Sequence, residues 1–267
     1  MADFLRRRRE ALTPEAAGIR VLDRRRTPGL RRDEVAERAN MSAVYYERLE
    51  RGRGPVPSAS MLGGIARALR LTADECAYLY RLAGQAAPPT GEPSGFVDPG
   101  LADAMAAVAA TVAAAIVDEL GTVVAQNRLN ETLFGAMAGT GNIVWRWFTE
   151  PAWRAWQEPA EQHAETGRAY VADLRAVLGR RAGDPVARRF VADLREASPE
   201  FAAIWDEHPV AVLRCPPKRI ADERVGLLDL ECSVMLSPLS SQRLLLLRPA
   251  NEQTRTACTW LAEAPLP

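Results

Sequence analysis

The chain has 267 residues, with 34 basic and 34 acidic side chains, two histidines and four cysteines. That length exceeds the usual single domain of about 100–150 residues, so two domains are expected, each able to bury a core. No apolar run reaches the roughly 18 residues that a membrane span needs, and the basic N-terminal MADFLRRRRE is followed by no apolar leader core, so a cytoplasmic protein without a membrane partner is expected.

Cys76, Cys215, Cys232 and Cys258 lie far apart with no C-x-x-C pair. That pattern argues against a zinc site and against a disulfide framework, and predicts isolated buried thiols. With His163 and His208 as the only histidines, neither a metal nor a cofactor is expected. The zero net charge hides an asymmetry. Residues 1–90 carry 17 Arg against 11 Asp and Glu, a net of +6, while the remaining 177 carry 17 basic and 23 acidic residues, a net of −6. A basic first domain suggests a polyanionic partner.

In chain order, Asp3 to Leu12 predicts a first helix, offering Phe4 and Leu5 to a core and Arg6, Arg7, Arg8 and Arg9 to more than one face. A second basic cluster, Arg24–Arg26, precedes the turn signal Thr27-Pro28-Gly29. From Leu30 to Glu50, apolar residues at 30, 35, 39, 41, 46 and 49 fit two short helices broken by a tight turn. Ala36 is small where the two must approach, Asn40 tolerates the left-handed turn conformation, and Ser42 is a good N-cap. That cap leaves Ala43, Val44, Tyr45, Glu47 and Arg48 on a face that the core does not need. Ser58 then caps a helix reaching Arg70, and Thr72 to Glu75 form a capping box for a fifth helix through Leu82.

Gly84 to Pro99 concentrates Gly, Pro and Ser and is expected to be a semi-stiff linker between a domain of residues 1–83 and another of residues 100–267. In the latter, Leu101 to Val112 predicts an Ala-rich amphipathic helix. Ala114 to Asp118 and Thr122 to Gln126 predict a hairpin, and Asn127 starts a helix. Four of the six tryptophans fall between Trp145 and Trp156, a density that favours core packing over a ligand box. Helices are expected at 151–179, at 184–196 opened by Asp184-Pro185, and from Ser198 through Trp205. Strands are expected near Val210–Arg214, Val225–Glu231 and Arg243–Leu247. The expected fold class is therefore mainly α, with a C-terminal α/β part whose short strands and packed helices suggest a PAS-like sheet.

The segment Leu30 to Gly52 resembles the Xre-type, lambda-repressor-like helix-turn-helix without gaps, down to Glu50-Arg51-Gly52 at the end of the recognition helix. The resemblance implies a five-helix DNA-binding domain in which Arg32 meets phosphate and Ala43, Val44, Tyr45 and Arg48 face bases or backbone. Arg31, Ser42, Arg51 and Arg53 complete the implied DNA-contacting set. Related proteins often carry Gln at the position of Ala43, so bidentate readout of adenine is not expected there.

The whole chain is similar to the MmyB-like regulators. The similarity rests on Gly29-Leu30-Arg31-Arg32, Tyr45-Tyr46-x-Arg48-Leu49-Glu50, Ala125-Gln126-Asn127, Asn142 with Trp145-Arg146-Trp147-Phe148, Leu174-Arg175, and Ser198-Pro199-Glu200-Phe201 with Trp205 and His208. It implies a regulator, often actinobacterial, that holds a fatty-acid-like or other small apolar effector in its second domain, and such a regulator is expected to bind a pseudo-palindromic double-stranded operator as a homodimer. Asn127, Asn142, Trp145, Arg146, Trp147, Phe148, Phe201 and Trp205 are the ligand candidates. Asn127 and Asn142 fit backbone satisfaction equally well, and Arg146 and Arg175 are expected to pair with nearby acids. Ala221 to Gly226 departs from the family pattern, which carries His-Pro shortly before the glycine. Two alternatives differ in the second domain: a dimerisation or docking module, or an enzyme. No G-x-S-x-G, H-E-x-x-H or glycine-rich phosphate loop supports the enzyme.

Overall fold

The computed structural model describes residues 1–19, 28–85, 95–181, 184–212, 215–237 and 240–264. The Arg24–Arg26 cluster, Thr27, residues 86–94 of the expected linker and Arg214 lie outside the described residues. The chain divides into two compact units, Met1–Thr90 and Gly91–Pro267.

The first unit contains helices α1 (Ala2–Ala11), α2 (Arg32–Arg38), α3 (Ala43–Glu50), α4 (Ala59–Ala68) and α5 (Ala73–Leu82). Their boundaries follow local chemistry. Ser42 Oγ accepts from Tyr45 N–H, Ser58 Oγ accepts from Met61 N–H, and Thr72 and Glu75 exchange the two bonds of a capping box. Between α2 and α3 the chain reverses at Asn40, whose φ of 55° is left-handed. Leu5, Leu30, Val35, Tyr46, Leu49, Leu62, Ile65 and Leu79 fill one core. Gly64 is required where α4 crosses the end of α2, because a Cβ there would sit 2.8 Å from the Ala39 carbonyl oxygen.

The second unit opens with α6 (Pro99–Ala107), then β1 (Ala113–Val117) and β2 (Val123–Gln126), the expected hairpin. Then come α7 (Arg128–Phe134), α8 (Ile143–Thr149), α9 (Pro151–Gln157), α10 (His163–Arg180), α11 (Pro185–Ala197) and α12 (Pro199–Asp206). Strands β3 (Lys218–Asp222), β4 (Gly226–Leu236) and β5 (Arg243–Pro249) follow, and α13 (Glu252–Glu263) closes the unit. The sheet has the order β2-β1-β5-β4-β3 and every pairing is antiparallel.

Alternation along the strands builds two apolar faces. Ala113, Ala115, Val117, Leu228, Leu230 and Leu247 share one face with Leu133, Phe134 and Leu261. Ala114, Ile116 and Leu244 form the other, covered by Leu101 of α6. A third cluster joins α8, α10, α11 and α12 around Trp147, Phe148, Leu174, Leu194, Phe201 and Trp205.

Five expectations are corrected. The helix expected over 151–179 is two, because Glu158 is extended and Pro159 cannot continue a hydrogen-bonded turn; a 3-10 turn at Ala160–Gln162 separates them. The helix expected to reach Val112 stops at Ala107, with Val108 extended. Val210–Val212 forms no strand; it lies beside α10, where Ala211 N–H donates to the Ala172 carbonyl. The chain does not finish on strands, since Asn251 caps α13 by accepting from Thr254 N–H. Finally, Cys215 and Cys232 are not isolated thiols but a disulfide, their Cα atoms 5.5 Å apart. The β3–β4 reversal brings them together across 17 residues, which sequence spacing alone does not show.

Candidate functional site

Helix α3 separates its residues cleanly. Tyr46, Leu49 and Glu50, at helical spacing, are buried, while Ala43, Val44 and Arg48 are exposed, Val44 at 67%. A valine left in water on a short helix gains nothing for the fold. Ser42 is itself exposed, and Tyr45 is half-buried. Arg31 and Arg32 are exposed at the start of α2, and Arg31 N–H donates to Glu34 Oε2 at 2.6 Å. After α3 come two more exposed arginines: Arg51, ion-paired with Glu47 at 2.7 Å, and Arg53. The nine expected contact residues thus lie at the start of α2, along the outer stripe of α3 and in the turn that follows it.

The residues that aim this stripe escaped the sequence reading. Arg9, the last of the four-arginine run, is buried: its Nε donates to Glu50 Oε1 at 2.6 Å and its Nη1 to the Leu30 carbonyl at 3.0 Å. Arg32 Nε donates to Glu50 Oε2 at 2.8 Å. Burial raises the Glu50 pKa, but the bonds from Arg9 and Arg32 prevail and hold it below the usual carboxylate range. Burial first, and then the Glu50 carboxylate, push the Tyr46 phenol above its ordinary range. One buried carboxylate therefore locks α1, the start of α2 and the end of α3 together. Only its pairing with Arg32 leaves a partly exposed cation, whose remaining N–H groups are available to an anion.

In the second unit, Asn127 caps α7 by accepting from Asn130 N–H, accepts also from Ala114 N–H, and donates to the Val112 carbonyl. Asn142 accepts from Val144 and Trp145 N–H and donates to the Leu120 carbonyl. Both amides are engaged by backbone, as the sequence allowed. Trp147, Phe148, Phe201 and Trp205 come together as a ladder, with Trp147–Phe148 centroids 4.6 Å apart, Phe148–Phe201 5.1 Å and Phe201–Trp205 5.7 Å. Trp145 sits 6.4 Å from Phe190 at the margin of the same cluster. Arg146 pairs with Glu150 and lies 4.6 Å over Trp153, which packs against the margin of the same cluster. Arg175 does not take the expected acid partner: it stacks 4.0 Å over Trp205, donates to the Trp205 carbonyl and meets His208 Nδ1 at 2.9 Å.

Under the ladder lies a buried polar node. Glu158 accepts from Trp147 Nε1 at 3.1 Å, from Thr166 Oγ1 at 3.0 Å and from Lys218 Nζ at 2.6 Å, and both charged side chains are buried. Lys218 is the only lysine in the chain. Outside α10, a groove of about 470 Å³ is lined by Ala169, Ala172, Pro209–Val212, Cys215 and Pro216, with Glu165 and Arg168 beside them. The Ala221–Gly226 stretch spans the end of β3, the turn and the first residue of β4, and the Asp222 carboxylate accepts from Arg224 N–H, Nε and Nη2. No described helix is long and apolar enough to cross a membrane.

Residues 1–79 match a helix-turn-helix domain family, in agreement with the α2–α3 geometry. No curated relative matches the chain. Residues 97–261, more than half of the sequence, match the MmyB-like transcription regulator ligand binding domain. The chain therefore belongs to the MmyB-like transcription regulators, pairing a helix-turn-helix with the ligand-binding domain of that family.

Proposed function

We propose that the protein is a homodimeric, Xre-type, sequence-specific regulator that reads a pseudo-palindromic operator and answers to a small apolar or acyl effector in a PAS-like second domain. The observation that carries the reading is the exposed stripe Ala43, Val44 and Arg48, directed outward by the Ser42 cap and backed by Tyr46 and Leu49 in the core. Major-groove helices contact bases through residues near their N-terminus, where this stripe begins. Arg31, Arg32, Arg51 and Arg53 surround it with positive charge suited to phosphates. Tyr45 is half-buried against the core beside this stripe, and Ala43 and Val44 offer apolar contact to a thymine methyl in place of an amide to adenine.

The sheet order β2-β1-β5-β4-β3 with helices between β2 and β3 supports the PAS-like description. The groove beside α10, walled by Ala169, Ala172, Pro209, Val210, Val212 and Pro216, favours an effector that is mostly hydrocarbon, whereas the aromatic ladder of Trp147, Phe148, Phe201 and Trp205 is packed in the core and does not line it. Such an effector acts only through a difference in affinity between DNA-competent and incompetent states.

Salt-dependent binding of variants tests the contact assignments. Arg32→Ala is expected to weaken operator and random DNA alike and to lower the slope of log K against log salt by about 1. Val44→Ala and Tyr45→Ala should instead change sequence preference. Equal losses on operator and random DNA from the last two would overturn their role as readers.

A further inference from the structure

The Cys215–Cys232 bridge ties a groove wall to the sheet. Cys232 lies within β4 opposite Leu247 of β5 and packs on the apolar face of the sheet. Cys215 precedes β3 and lines the groove together with Pro209–Val212 and Pro216. Besides the bridge, Ala211 N–H to the Ala172 carbonyl, at 3.3 Å, holds the wall to α10, while Val210 and Val212 stay exposed. Both bridged cysteines are half-buried rather than enclosed, and Cys215 faces the groove. The other two thiols are poor competitors. Burial pushes Cys258 up to about 11 and raises Cys76 as well, and it is the thiolate that reacts. A transcription regulator works in the compartment that holds DNA. Thiol pools there are reducing, and the bridges found there are usually transient redox or catalytic ones.

We propose that Cys215–Cys232 is a reversible redox site that fixes one wall of the groove. A low-molecular-weight thiolate attacks one sulfur, giving a mixed disulfide and releasing the other cysteine as a thiolate. A second small thiolate then attacks the small molecule's own sulfur in that mixed disulfide and expels the remaining cysteine as a thiolate. Two cysteine thiols and one small-molecule disulfide result, with two electrons and two protons passed to the protein. The same small-molecule disulfide, as oxidant, restores the bridge by the reverse steps. The site does not depend on which effector the groove takes.

The test equilibrates the full-length protein in buffers of reduced and oxidised glutathione spanning cytosolic to oxidising ratios. After an acid quench, alkylated thiols are counted by mass spectrometry, and hydrogen exchange is followed across Pro209–Val212. The expected result is two alkylated thiols in the oxidising buffers and four in the reducing ones, with exchange at Ala211 at least tenfold faster in the reduced protein. Two thiols in every buffer, or four in every buffer, would overturn the redox site. A count that switches while Ala211 exchange stays constant would overturn the wall assignment. Cys215→Ser should exchange like the reduced protein in all buffers, and the wild-type titration stands on its own if that variant does not fold.

Discussion

Replacing Glu50 with alanine is expected to destabilise the N-terminal unit by up to about 3–5 kcal/mol, because it leaves the buried Arg9 guanidinium with only the half-exposed Glu10 carboxylate, 3.2 Å away, and the Leu30 carbonyl as partners. Arg9 and Glu50 have side chains only 6% and 1% exposed and are joined by a 2.6 Å hydrogen bond. The pair is not a large source of net stability, since two charges had to leave water to make it. Arg9→Met combined with Glu50→Leu should therefore lie much nearer to wild type than either single change. Urea unfolding of wild type, Glu50→Ala, Arg9→Met, Glu50→Leu and the double variant gives the comparison.

The same pair sets a pH dependence. The folded Glu50 pKa is depressed, so its contribution is fully present above the ordinary carboxylate pKa and is lost as pH falls through the folded value. The unit should thus unfold more easily in acid, and the Arg9→Met, Glu50→Leu protein should lose that part of the acid sensitivity. Because Glu50 is the last residue of α3, loosening it also disorders the aim of the exposed α3 stripe.

Lys218→Met is expected to cost the second unit about 3–5 kcal/mol, by leaving Glu158 buried with only the Trp147 and Thr166 donors. Lys218 anchors the first residue of β3 to the junction of α9 and α10, so the loss spreads to both. Trp147 reports it directly, since its indole N–H donates to the same carboxylate. Thermal unfolding followed by tryptophan fluorescence should show a lowered midpoint and a shifted native emission. Unchanged stability would mean that water, not Lys218, balances Glu158.

What was legible in the sequence was local. Ser42, Ser58, Thr72, Asp184 and Ser198 act as N-caps within three residues of their partners, so their helices could be placed from residue type alone. The β1–β2 hairpin is local in the same way. What was illegible depends on distant partners. Arg9 looks like one more solvated arginine until Glu50, 41 residues later, is packed against it. Strand β3 hides its periodicity because its inward residues are Lys218, Ile220 and Asp222, two of them charged and paired elsewhere. Val210–Val212 has the β-branched alternation of a strand, yet it follows His208, at a φ of 57°, and Pro209, and it pairs with a helix. In the second unit, the expected ligand residues divide into backbone-engaged amides, a packed aromatic ladder and an arginine over Trp153. Residue type alone could not separate packing from binding there.

Whether α3 reads a specific duplex is decided by the DNA that the full-length protein selects. Selection of bound sequences from random double-stranded DNA, followed by footprinting at physiological salt, tests it most directly. The expected result is an enriched inverted repeat, with half-sites about 10 base pairs apart and protected together, and a changed preference when Val44 is replaced. Recovery of unenriched DNA, with no protected repeat and equal affinity for every sequence, would contradict it.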